Sequence, residues 1–224
     1  MTELETRLNR LSLRLDHTGM RVEQAVLDAL EALANGDVSA GEAVNAHDVV
    51  IDREEVEVEQ ECIRLLALYQ PAAIDLRTLC TIIKVNSDLE RIADLGAAIG
   101  RGVKHAVRGN LELGDHPAFN RLRQGTVDIL GRTARMLSAG EASNARRIIE
   151  LDSKVDEEYR MLIQDVLAGL SPDMGDSEAV LTILNLAKAL ERIGDLCTNI
   201  AEDIIFLRTG DIVRHSAAFG DNDV

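Results

Sequence analysis

Apolar residues recur every three or four positions along most of this chain, which is the spacing of one face of an α-helix. Leu4, Leu8, Leu11 and Leu15 form the first such run. Glycine and proline clusters interrupt the pattern and mark the turns. The pattern predicts six helices followed by a polar tail, with the helices at about residues 4–34, 39–68, 72–107, 118–137, 141–168 and 178–208.

The two halves of the chain repeat one another. Glu90-Arg91-Ile92-Ala93-Asp94 returns as Glu191-Arg192-Ile193-Gly194-Asp195, 101 residues further on. Each half reads helix, glycine turn, helix, proline turn, long helix. We therefore expect an all-α fold with a duplicated three-helix unit, residues 1–110 forming the first unit, 115–210 the second and 211–224 a tail.

Composition agrees with a helical protein and excludes some functions. Only 2% of the residues are aromatic and three are proline, which disfavours a strand-rich fold. The net charge of −15 would repel a phosphate backbone or an anionic bilayer, so direct nucleic-acid binding is not expected.

The chain has no signal-peptide pattern and no apolar run long enough to cross a membrane, which predicts a soluble cytoplasmic protein. Its three cysteines, without metal-site spacing, are interpreted as small core residues.

Acidic residues four positions apart form the candidate functional motif. Six such pairs occur, and four of them keep both acids in both halves. The remaining two, Glu55/Glu59 and Glu57/Glu61, are interpreted as solvated surface. The four repeated pairs comprise Asp48, Asp52, Glu90, Asp94, Asp152, Asp156, Glu191 and Asp195.

These pairs allow two interpretations. In the first, a pair from the middle helix and a pair from the long helix of each half converge on a cation, for which oxygen-only ligands favour Mg²⁺, Mn²⁺ or iron. In the second, Arg91, Arg192 and Lys154 neutralise the acids in surface ion pairs of little energetic consequence. The helical wheel places Glu90 and Asp94 opposite the apolar stripe, so they do not form a buried dyad.

Small residues lie beside the acids on the long helices: Ala93 and Ala97 in the first half, Gly194 and Thr198 in the second. They leave room for a ligand or a neighbouring helix. No nucleophile is placed near the acids, and no histidine forms the Glu-x-x-His pattern of di-iron oxidases, so no enzymatic activity is expected. The five histidines are interpreted as ordinary surface or packing residues.

The repeated motif within Leu89–Asp94 and Leu190–Asp195, together with Gln70-Pro71-Ala72 and Asp75-Leu76-Arg77, resembles the PhoU phosphate-signalling regulators. The resemblance covers nearly the whole chain. It implies two tandem three-helix bundles packed side by side, and surface clusters of iron, manganese, zinc or magnesium held by the eight acids named above. The second half departs from the pattern at its proline turn, with Ser171-Pro172-Asp173.

The resemblance also implies a function. Family members are cytoplasmic negative regulators of the phosphate-starvation response. They connect the ATPase subunit of a phosphate ABC transporter to a sensor histidine kinase, and are often homodimers located at the membrane only through their partners. Three alternatives remain open: a metal-dependent enzyme or metal store, a metal-free helical interaction module, and a related regulator of another transporter.

Overall fold

Six long helices account for the fold of the part of the chain that the structure describes. The computed structural model describes residues 2–111, 113, 116–139, 143–168 and 177–213, and these residues include no strand. The predicted helices agree with the observed bounds to within two residues, although the predicted start of the fifth, Glu141, lies outside the described residues. The all-α prediction is confirmed. The helices are α1 (Glu3–Asn35), α2 (Val38–Tyr69), α3 (Ala73–Arg108), α4 (Pro117–Ala139), α5 (Ser143–Ala168) and α6 (Ser177–Thr209).

Local capping chemistry sets the first helix boundaries. The Thr2 hydroxyl accepts a hydrogen bond from the Glu5 amide (3.1 Å), and the Glu5 carboxylate accepts one from the Thr2 amide (2.7 Å), which is a capping box. Gly36 ends α1 in the left-handed region at φ 64°, where glycine is favoured. Asp37 then caps α2 by accepting from the Ala40 amide at 3.0 Å.

The turn before α3 differs in detail from the prediction. Pro71 was expected in the first helical turn, but it precedes the N-cap residue Ala72. The chain reverses here through two left-handed residues, Gln70 at φ 44° and Ala73 at φ 50°, one on each side of this segment. Proline, whose φ is fixed near −65°, occupies a position between them that needs no left-handed conformation. Pro117, in contrast, is the first residue of α4.

The two long helices α3 and α6 form the centre of the molecule. α3 packs against α1, α2 and α6, while α6 also packs against α4 and α5. They run antiparallel, because Lys84 contacts Asp203 at one end of the pair and His105 contacts Glu178 at the other, both at 3.2 Å. Buried apolar residues from all six helices form one continuous cluster.

Small residues bring α2 close to α3. A Cβ atom added to Gly41 would lie 2.6 Å from the Gly100 carbonyl oxygen, and one added to Gly100 would lie 2.5 Å from that of Gly41. Further along, the buried amide of Asn86 donates to the Glu55 carbonyl at 3.0 Å. These contacts fix the register of α2 on α3, and hence the register of the acidic motif on each helix.

No helix among the described residues combines the length and the apolar character needed to cross a membrane.

Candidate metal centre

The second half brings three of its predicted acids together. One carboxylate oxygen from each of Asp152 and Asp156 on α5 and Asp195 on α6 lies within 4.8 Å of the others. Glu191, one turn before Asp195, is instead engaged by the Lys188 ammonium at 2.6 and 2.7 Å. The structure therefore assembles an oxygen-only triad with a fourth carboxylate beside it.

Gly194 is the reason that α5 can approach α6 so closely at this point. A Cβ atom on Gly194 would lie 2.8 Å from Asp152 Oδ1, closer than real Cβ contacts permit. The space predicted beside the acids is therefore used by the neighbouring helix. The equivalent residue in the first half is Ala93, which is buried.

Burial and the like charges of the triad disfavour ionisation of all three carboxylates at once. The pKa of Asp152 is raised to about 6, first by burial and then by the charges of Asp156, Asp195 and Glu191, while a weak interaction with the Thr198 hydroxyl opposes the shift. The pKa of Asp195 is also raised, first by burial and then by Glu191 and Asp156. A bound cation would stabilise the ionised forms that this arrangement disfavours.

The first half contains a related cluster. Burial raises the pKa of Asp48, and Asp94 and Asp52 add to the shift, whereas Arg101 lowers it. The pKa of Glu90 is raised by burial and then by Asp94, Asp52 and Glu55, against an opposing effect of Arg91. Asp52 and Asp94 thus raise the pKa of both Asp48 and Glu90, although among the described residues only the second half forms a triad within 4.8 Å.

Glu55 belongs to this first cluster, and its interpretation as solvated surface is wrong. Its side chain is half-buried, and its pKa is raised by burial, then by Glu59 and Asp52. Its position seven residues after Asp48 places both acids on one stripe of α2, which was the available sequence signal. The internal duplication concealed it because the second half has no acid at the corresponding position.

Equivalent buried oxygens in the two clusters have no hydrogen-bond partner. Asp48 Oδ1 and Asp152 Oδ1 are both inaccessible to solvent, and neither forms a hydrogen bond of acceptable geometry within the described part of the chain. An unsatisfied buried carboxylate oxygen is costly. Oxygen ligands at both sites fit a hard or borderline cation, which would satisfy these atoms.

The cations expected to neutralise the acids do not pair with them. Arg91 contacts Asp88 at 3.4 Å, rather than Glu90 or Asp94. Within the described residues, neither Arg192 nor Lys154 forms an ion pair, although Arg192 lowers the pKa of Asp195 at longer range. The interpretation of these three cations as ion-pair partners is therefore wrong.

Sulfur and imidazole ligands do not contribute to the acidic clusters where the structure describes them. The Cys62 and Cys197 thiols are buried, as predicted, and burial raises the pKa of each to about 12, so neither supplies a thiolate at neutral pH. Cys80 is only half-buried. His105 pairs with Glu178, and the His116 ring accepts from the Phe119 amide at 3.4 Å.

Comparisons with known proteins identify a duplicated domain. The PhoU domain model matches residues 15–103 and again residues 119–204. The chain is 34% identical to the phosphate-specific transport system accessory protein PhoU of Serratia marcescens, over 88% of this chain and 81% of that protein. It is also 34% identical to the Escherichia coli K12 protein of the same name, with the same coverage.

Solved structures agree with the sequence comparison. The phosphate transport system regulatory protein PhoU of Streptococcus pneumoniae superposes with a TM-score of 0.85 at 28% identity, covering 94% of this chain and 99% of that one. PhoU of Pseudomonas aeruginosa gives a TM-score of 0.86 at 29% identity, covering 93% and 100%.

The fold and the comparisons define a helical protein of the accessory or regulatory class, and none of these relatives is named as an enzyme. The chain belongs to the PhoU family, as its repeated acidic motif indicated.

Proposed function

We propose that this protein is a negative regulator of phosphate uptake and of the phosphate-starvation response. It would act in the cytoplasm as an adaptor between the ATPase subunit of a phosphate ABC transporter and a sensor histidine kinase. The support is its family membership, since its relatives are named accessory proteins of phosphate-specific transport systems. The net charge of −15 favours partners with basic docking surfaces.

We further propose that the acidic clusters bind metal, and the observation that carries this is the Asp152, Asp156 and Asp195 triad within 4.8 Å. Its all-oxygen donor set suits a hard or borderline cation, for which iron, Mn²⁺, Mg²⁺ and Zn²⁺ are the candidates. The metal would lower the negative charge of this surface and so change its affinity for a basic partner.

Metal content tests this proposal directly. Protein purified without a chelator should contain stoichiometric metal, and Asp152→Asn/Asp156→Asn/Asp195→Asn should lose it. A control with the same charge change at exposed acids, Glu31→Gln/Glu157→Gln/Asp165→Asn, should retain it. Metal-free wild type whose melting temperature does not respond to added Fe²⁺, Mn²⁺, Zn²⁺ or Mg²⁺ would contradict the metal proposal and leave the adaptor proposal standing.

Partner binding tests the adaptor proposal separately. The ATPase subunit of the phosphate transporter and the cytoplasmic part of the kinase should each bind the purified protein. Deletion of the gene should activate a phosphate-starvation reporter in phosphate-rich medium. Binding to neither partner, or an unchanged reporter, would contradict the proposal. Light scattering of the same preparation tests the predicted homodimer.

A further inference from the structure

A groove opens at one end of the α3–α6 seam, away from the acidic triad. Its volume is about 470 Å³, which is within the range of ligand-binding pockets. Gly102 and Leu186 form its floor, Leu181 lies at its edge with 58% of its surface exposed, and Arg101, His105 and Glu178 surround it. An apolar floor within a polar rim is the usual anatomy of a protein-binding hot spot.

The opposite end of the same seam is filled, and the internal duplication allows the two ends to be compared residue by residue. There, Lys84 reaches across to the buried carboxylate of Asp203 at 3.2 Å, and its ammonium lies 5.6 Å from the centre of the Phe206 ring. With the offset of 101 residues between α3 and α6, these three side chains correspond to Asn185, Gly102 and His105.

The groove therefore lies where the repeat is broken. Asn185 replaces the long cation, and Gly102 replaces the carboxylate. A Cβ atom on Gly102 would lie 2.7 Å from Leu186 Cδ2, so glycine also permits the close packing of the groove floor. At the filled end, a long aliphatic side chain and a phenyl ring cover the seam, whereas the corresponding positions at the open end hold Asn185 and His105.

The charged residues beside the groove indicate which charges a partner segment bound there should carry. Asp94, Ala98 and Arg101 lie at positions i, i+4 and i+7 of α3, on one stripe of the helix. Asp94 belongs to the first acidic cluster, and Gly102 lies eight residues further on, about 12 Å along the helix axis. A segment lying along this stripe would meet an apolar recess first and a group of carboxylates about two turns later.

We propose that the groove receives a helix of a partner protein that inserts one large apolar or aromatic side chain above Gly102. Lys or Arg residues about two turns along that helix face the Asp94 cluster. This inference rests on the proposed adaptor function and specifies where and by what chemistry the adaptor binds. Helix-in-groove binding of this kind derives its affinity from the buried anchor, and complementary charge sets the orientation.

Two substitutions test the groove. Leu181→Glu places a charge at its apolar edge, and Asn185→Phe fills it from α6. The binding probes are the purified ATPase subunit of the phosphate transporter and the cytoplasmic part of the kinase. Each variant should weaken binding of one of these probes at least tenfold. Leu13→Glu is the matched control, because Leu13 on α1 is 59% exposed and lies outside the groove.

Photo-crosslinking identifies the occupant. A benzophenone amino acid at position 185 should cross-link to a partner segment that carries a large apolar residue with Lys or Arg about two helical turns away. Cross-linking to an acidic segment would overturn the inference, as would unchanged affinity of both variants with a partner that binds the wild type. If the wild type binds neither probe, the adaptor proposal itself fails. Thermal melting monitored by circular dichroism confirms that each variant is folded.

Discussion

At the scale of single residues, the titration of Asp152 affects the stability of the metal-free protein. The pKa of this carboxyl is about 6 in the folded protein, compared with an ordinary value of 3.8. The folded state therefore binds more protons than the unfolded state between these two values. The free energy of unfolding of metal-free protein must then contain a contribution that falls as pH rises through this interval.

Substituting Asp152→Asn should remove that contribution. We expect a metal-free variant that loses less stability than the wild type between pH 4 and pH 6. At pH 7 the variant should be more stable than the wild type, by roughly a few tenths of a kcal/mol for each like-charge contact removed. Urea denaturation in the presence of chelator measures both effects. As a control, Glu157→Gln on the same helix should leave the pH dependence of stability unchanged. If Asp152→Asn shows the same pH dependence as the wild type, Asp152 does not titrate in this range.

Gly194 gives a second residue-scale prediction. Gly194→Ala adds a methyl group at a position 2.8 Å from Asp152 Oδ1, so α5 must move away from α6. We expect at least a tenfold loss of Mn²⁺ affinity by calorimetry, because displacing a ligand by even a fraction of an ångström disrupts a coordination site. Helix propensity alone favours alanine by about 1 kcal/mol, so a stability gain with full metal affinity would contradict this account. Gly131→Ala, also within a helix, should not change metal affinity.

Sequence reasoning at this scale located carboxylates better than the residues around them. The i,i+4 pairs were visible because the duplication preserved them. Glu55 was missed because it has no counterpart in the other half, and Lys188 was missed as the partner of Glu191 because the arginine next to Glu191 appeared closer in sequence. Such pairings depend on side-chain direction from the helix, which spacing constrains only partly.

At the scale of helices, the Lys84–Asp203 contact holds α3 to α6 at one end. Lys84→Met should reduce the free energy of unfolding by about 1 kcal/mol, because it removes a charge-assisted hydrogen bond to a buried carboxylate. Lys104→Met is a matched control. The Lys104 side chain is 50% exposed, similar to 47% for Lys84, but it lies 3.9 Å from the exposed Glu42.

A double-mutant cycle with Asp203→Asn separates the contact from the loss of packing. The coupling energy between positions 84 and 203 should lie above about 0.5 kcal/mol, whereas that between positions 104 and 42, measured with Glu42→Gln, should lie near zero. Equal coupling in the two cycles would show that burial of Asp203 does not strengthen its ion pair.

Helix existence and order followed from the sequence because 3.6-residue periodicity and glycine or proline breaks act locally. The grouping into two three-helix units followed from the internal repeat, but the packing geometry between helices did not. The antiparallel arrangement of α3 and α6, and the close approach of α2 to α3 at Gly41 and Gly100, depend on contacts between residues far apart in sequence. The position of Pro71 outside α3 depended on two left-handed residues, neither of them glycine, which propensity would not place there.

At the scale of the whole molecule, we expect the continuous apolar cluster to make the two halves unfold as one cooperative unit. The division into residues 1–110 and 115–210 remains a prediction from the repeat. Buried residues of both halves belong to a single contact cluster that crosses the α3–α6 and α1–α4 seams. Separate unfolding of one half would expose apolar surface on the other, which is unfavourable.

A core substitution in one half should therefore destabilise the other. Leu65 on α2 is fully buried, and Leu65→Ala should cost about 2–5 kcal/mol in the free energy of unfolding. Hydrogen–deuterium exchange should show loss of protection in α4 and α5 equal to that in α1 and α2, because their slowest amides exchange only through global unfolding. Leu68→Ala, at a 66% exposed position of the same helix, should change neither. Unchanged protection in α5 with Leu65→Ala would show that the halves unfold independently and that the shared cluster adds little coupling between them.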